Sequence, residues 1–195
     1  MLRFQWRRVV ALFLVAFTFA CADRNDADES VVTDSAAAGS AAPAPLLSDA
    51  EIAHIAVTAN TIDAETGEFA KGKAQNAEVR TFAESMSRDH TGVNTQATAL
   101  AQRLNLTPVD NATSQQLTAE AQRTRQFLEP KSGADFDRSY ITQELLFHQQ
   151  VLNTIDNTLL PNVQNAELKA FLEQVRPAIA AHLERAQQIQ EALGK

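Results

Sequence analysis

Three of the four histidines in this chain, His90, His148 and His182, fall on apolar helical repeats in three separate stretches of sequence. Neutral imidazole is the commonest metal ligand in proteins, so three such rings at one level would form most of a site for a transition metal ion. Zinc, copper and iron all accept ligands of this kind, and the residue types do not choose among them. Carboxylates that would complete the shell stand nearby. Glu144 is four residues before His148 and on its face, Asp89 adjoins His90, and Glu65 follows Ile62 by three residues, beside the first repeat. His54 is off its repeat and belongs to a solvated face. An alternative keeps these residues and removes the metal: each histidine bonds a carboxylate, Tyr140, Asn60 or a buried water, and the chain is a structural or protein-interaction module. In either case the imidazoles need partners, because a buried unpaired polar group costs about 1–3 kcal/mol.

Four amphipathic helices are expected to position these groups. The first opens at Ser48, where Ser48-Asp49-Ala50-Glu51 is a capping box and Leu47 and Ile52 are placed as a hydrophobic staple. Its apolar face runs Ile52, Ile55, Ala59, Ile62 and Phe69, with Gly67 and Gly72 weakening the far half. Asn76 caps a second helix with the seam Val79, Ala83, Met86, His90, Val93, Ala97, Leu100 and Leu104. A short helix from Ser114 to about Leu128 reads as a crossover segment rather than core. The third long helix starts near Asp135, carries Phe136, Ile141, Leu145, His148, Leu152, Ile155 and Leu159, and is expected to end before Pro161. The fourth starts at Asn165 and carries Leu168, Leu172, Val175, Ile179, His182, Ala186, Ile189 and Leu193. Pro177, five residues before His182, is expected to kink it. Sustained spacings of three and four, with no alternation of period two, predict an all-α four-helix bundle with a short extra helix between helices two and three. His90 and His148 fall close to their helix midpoints and His182 three or four residues past its own. At 1.5 Å per residue this scatter is roughly 5 Å, so the three rings can share one layer.

The rest of the chain bears on address. Residues 1–20 combine Arg3, Arg7 and Arg8 with an uncharged, mostly apolar run from Val9 to Ala20. That run is too short to span a bilayer, which needs about 20 apolar residues, and reads as a signal peptide. Cys21, the single cysteine, follows at once. Thr18-Phe19-Ala20-Cys21 resembles the lipobox of bacterial lipoproteins, which makes Cys21 the expected lipidation site and the membrane a partner through that anchor. Residues 21–47, rich in Ala, Ser, Asp and Pro, lack the apolar content to order themselves and read as a tether. The folded domain is then 48–194, in the periplasm or at the outer membrane. One cysteine excludes an internal disulfide and a Cys-rich zinc site, and 24 Asp+Glu against 17 Lys+Arg argues against nucleic acid. Removing residues 1–20 takes three arginines and no acids, so the mature net charge falls from -7 to -10. No Gly-x-Ser-x-Gly is present to suggest a hydrolase.

Several stretches resemble the domain-of-unknown-function 4142 family of bacterial envelope proteins. They are Glu78-Val79-Arg80-Thr81-Phe82-Ala83, Met86 with Asp89-His90-Thr91, Ser132 to Tyr140 with its Phe136-Asp137-x-x-Tyr140 core, His148, and His182 with Ala186. The resemblance spans about residues 50–190 and implies a ferritin-like bundle in an exported protein, with no established activity. Ferritin-like di-iron proteins draw on Glu-x-x-His pairs. Here that pattern occurs only from Glu51 to His54, and none of the seam histidines has a glutamate three residues earlier. A mononuclear, histidine-rich site is therefore the expectation, and no catalytic residue is assigned.

Overall fold

The computed structural model describes residues 47–194; the expected signal peptide, the Cys21 lipidation site and all of the tether except Leu47 lie outside the described residues. Four of the helices start where a side chain takes up free N–H groups of the first turn. Ser48 accepts from the Glu51 amide while the Glu51 carboxylate accepts from the Ser48 amide, opening α1 (Asp49–Lys73). Asn76 caps α2 (Ala77–Arg103), Asn111 caps α3 (Ala112–Leu128) and Asn165 caps α6 (Ala166–Leu193). Between them α4 (Gly133–Thr154) passes into a π-helical turn, Ile155–Leu159, and a last single turn, α5 (Leu160–Asn162). The described residues contain no strand, and none of their helices is long and apolar enough to cross a membrane.

Two aspartate contacts and the loops fix the direction of every long helix. Asp137, at the start of α4, accepts the amides of Gln75 and Asn76 just before α2, at 3.1 and 2.8 Å, so α2 and α4 begin at the same end. Asp49, at the start of α1, accepts the amides of Gln164 and Asn165 just before α6, at 2.8 and 2.9 Å, so α1 and α6 begin together at the other end. The tight connections make α1–α2 and α4–α6 antiparallel hairpins, and α2 and α4 therefore run parallel. The chain between them must return across the whole height of the bundle. It does so through α3, which starts beside the first turn of α1 (Val109 N–H to Ala50 O, 3.1 Å) and ends beside its last, where Lys73 Nζ donates to Leu128 O at 3.3 Å.

The apolar interior comes in two clusters. One gathers Ile52, Ile55, Leu100, Leu117, Leu159, Leu168, Phe171 and Leu172 with other apolar residues, and Leu47 packs against it as the staple requires. The other gathers Val79, Phe82, Met86, Leu128, Phe136, Tyr140, Ile141 and Ile189. Along every long helix the residues between these clusters are polar: Asn60 and Asp63 on α1, His90 on α2, Glu144 and His148 on α4, His182 on α6. A polar layer thus divides the core.

Three local expectations change. The short helix is part of the core, since α3 buries Leu117 and Leu128. The third long helix does not stop before Pro161: a proline ring clashes with the carbonyl four residues back, and the wider π turn ahead of it gives room for the ring. Pro177 lies on the exposed side of α6, inside a helix assigned from Ala166 to Leu193. Gly67 is a close-approach point rather than a weak one. A Cβ there would stand 2.7 Å from the Ser87 amide nitrogen and 2.8 Å from the Ala83 carbonyl oxygen of α2. Only the missing side chain lets α1 and α2 come this near.

Candidate metal centre

The three seam histidines meet. Ring centroids lie 5.6 Å apart for His90 and His148, 5.2 Å for His90 and His182, and 5.6 Å for His148 and His182. One ring nitrogen from each falls within 4.8 Å of the other two. His90 and His148 are buried, while the His182 side chain keeps 16% of its exposure.

Each ring has one nitrogen held from outside. His90 Nδ1 donates to Asn60 Oδ1 at 2.9 Å, and Asn60 is held in turn by its own Nδ2 donating to Ala56 O. His148 Nδ1 donates to the Glu144 backbone oxygen at 3.0 Å, and a carbonyl can only accept. His182 Nε2 faces Asp89 Oδ2 at 3.3 Å. The other nitrogen of every ring, His90 Nε2, His148 Nε2 and His182 Nδ1, is buried with no hydrogen-bond partner. In a neutral ring held this way the unpartnered nitrogen carries a lone pair.

Asp63 completes the layer. Its Oδ2 lies 3.3 Å from His90 Nε2 and 3.6 Å from His148 Nε2, while its Oδ1 is buried without a partner. Glu144 Oε2, 3.5 Å from His148 Nδ1, and the Tyr140 hydroxyl are also buried and unpartnered. Asp63, Glu144 and His148 form a second group with ligand atoms within 4.8 Å, sharing His148 with the first.

Burial sets the charge states. Removal from water pushes His90 below the usual imidazole range, against the pull of Asp63. His182 is pushed down to about 4, by burial first and by His90 and His148 next. Both rings are therefore neutral at pH 7, the form that ligates. Glu144 is pushed well above the carboxylate range by burial first and by the nearby Asp63 next. Burial, with Glu144 and Asp63 adding to it, also raises the Tyr140 hydroxyl well above 10.

Of the residues expected at the site, His90, His148, His182 and Glu144 come together and Glu65 does not. Glu65 is exposed on α1 and faces a shallow groove with Thr61, Thr91 and Asn94. Two residues on a helix turn by about 200°, so the rotation that brings Asp63 inward sends Glu65 out. His54 is half-buried, with Nδ1 3.9 Å from Asp110 Oδ1, and takes no part in the layer. Asp63 is the residue the sequence reading missed. Its signal was the spacing Ala56, Asn60, Asp63, Gly67, Ala70, which continues one helical face through two polar residues.

Parallel pairs of helices, a full-height crossover and a histidine–carboxylate layer define a helical bundle with a polar centre. The chain belongs to the family described as Domain of unknown function (DUF4142), whose pattern matches residues 33–189. No curated protein and no solved structure matches it. The geometry also explains the stretches that carried the resemblance. Phe136 and Tyr140 stack with 6.1 Å between centroids, Asp137 between them joins α4 to the start of α2, and Asp89-His90 supplies one ring of the layer and the partner of another.

Proposed function

We propose that this protein is an exported, lipid-anchored envelope protein of ferritin-like type whose bundle binds one transition metal ion at His90, His148 and His182, with Asp63 as the fourth ligand. The observation that carries the reading is the facing of acceptors. Two imidazole lone pairs and a carboxylate oxygen stand 3.3 and 3.6 Å apart in a buried layer, and such an arrangement is repulsive unless a cation lies among them. Ligating histidines normally give their second nitrogen to a carboxylate or carbonyl, and all three rings are held in that manner by Asn60, Glu144 and Asp89. Three nitrogens and one oxygen suit zinc, copper or iron. The rival reading, a structural or interaction module with histidines that are only hydrogen-bonded, leaves three ring nitrogens without partners at about 1–3 kcal/mol each.

Elemental analysis of the purified protein tests the metal. About one ion per chain is expected, and none after the triple change His90→Ala, His148→Ala and His182→Ala. Metal content that survives the triple change ends the proposal.

A further inference from the structure

His90 and His148 are buried and the His182 side chain keeps only 16% of its exposure, so a cation must reach the layer by one of a few openings. A cleft of about 370 Å³ opens between α1, α3 and α4, walled by Ile62, Thr66, Thr124 and Phe147, and both Asp63 and Glu144 line it. Those two carboxyl groups are almost fully buried, at 3% and 2% exposure, so they form the floor rather than the rim. Each carries an oxygen with no hydrogen-bond partner, Asp63 Oδ1 and Glu144 Oε2. With His148 they make one ligand group, and His148 with His90 and His182 makes the other. The two groups therefore adjoin through a shared ring, one at the floor of the cleft and one behind it.

Resting on the metal reading above, we infer that Asp63, Glu144 and His148 form a transit site for a divalent cation, which enters by the α1–α3–α4 cleft and passes to the three histidines. Oxygen ligands suit the first capture, because they take a partly hydrated cation and release it readily. The nitrogen-rich group behind them holds a borderline transition metal more tightly. Glu144 in this scheme touches the ion in passage and is not a ligand of the resting ion. A competing route exists between α2 and α6, where Asp89 and His182 retain some exposure.

Cobalt(II) distinguishes these routes, because its visible absorption reports a four-coordinate site with nitrogen ligands. The full chain is stripped with a chelator and mixed rapidly with cobalt(II), and the rate and final amplitude are recorded separately. Glu144→Gln, which keeps the shape of the side chain, is expected to leave the amplitude unchanged and slow loading at least tenfold. Thr124→Trp, which fills the cleft, should slow it likewise, and Asp89→Asn should load at the wild-type rate. Loading at the wild-type rate in Glu144→Gln overturns the transit site, as does slowing confined to Asp89→Asn. Loss of amplitude in Glu144→Gln makes Glu144 a resting ligand and overturns its transit role. Failure of the wild-type chain to develop the cobalt spectrum is a different result: it removes the metal site itself.

Discussion

At the scale of single residues, the proposed centre should depend on Asp63 more than on any carboxylate that the sequence brought forward. Asp63→Asn keeps the shape of the side chain but removes the charge that faces His90 and His148, and is expected to lower metal affinity about tenfold or more. Glu65→Gln should leave it unchanged, because Glu65 is exposed. A titration of both variants with zinc and a competing chelator measures the difference, and equal affinities would remove Asp63 from the shell. The histidines also set how the metal-free protein responds to acid. His182, depressed to about 4, faces His90 and Asp89 on α2, His148 on α4 and Asp63 on α1. Between pH 6.5 and about 4 the unfolded chain binds a proton at this position that the folded one refuses, so stability falls as pH is lowered through that window. His90 is shifted the same way and adds to the fall. Glu144 has the opposite sign: its raised value stabilises the folded protein fully below the unfolded carboxylate value of 4.5, and that benefit is lost as pH rises from there through the folded value. Because Glu144 opposes the histidines in this window, the readout is a difference: in urea unfolding of the metal-free protein, lowering pH from 7 to 5 should cost the wild type more stability than it costs His182→Gln.

At the scale of helices, spacing carried most of the information and small residues hid the rest. Seams on α2 and α6 were legible because large apolar side chains recur at three and four over more than twenty residues. On α1, beyond Ile52 and Ile55, the buried apolar face is built from Ala53, Ala56, Ala59, Gly67 and Ala70, which weigh little in any hydrophobic pattern. Ile62 and Phe69 are only partly buried, and they drew the apparent seam away from Asp63. A lone aspartate on a helix is usually solvated, so nothing in composition marked this one as interior. The π turn before Pro161 was illegible for another reason, because it answers a ring clash that appears only when the helix is built. Gly67 and Gly72 provide a paired test of the packing. Gly67→Ala should cost about 1–3 kcal/mol, since the new methyl meets the α2 backbone. Gly72→Ala meets nothing and should gain about 0.5–1 kcal/mol. Denaturant midpoints report both, and a Gly67→Ala protein as stable as the wild type would refute the close approach.

At the scale of the whole molecule, the address expected from residues 1–21 and the bundle are separate propositions with separate tests. The mature chain is expected to begin at an acylated Cys21, and mass spectrometry of its first peptide reads this directly. A free amine and thiol on Cys21 would refute the anchor and leave the metal centre untouched. The all-helical bundle was legible in the sequence, including the long connection between its second and third long helices. What that connection does was not legible, because helix direction depends on Asp49 and Asp137 contacting residues 60 or more positions away.

The full-height crossover has a bearing on how the molecule can be divided. Asp63 and His90 belong to the α1–α2 hairpin, and His148 and His182 to the α4–α6 hairpin. Each half owns two of the four ligands proposed for the ion, and neither half is a site. Cutting the chain in the exposed stretch 107–110 would separate the protein into two such fragments, with α3 staying on the second. Metal would then act as a bridge between independent polypeptides, and its capture would signal that the complementary fragments had found each other.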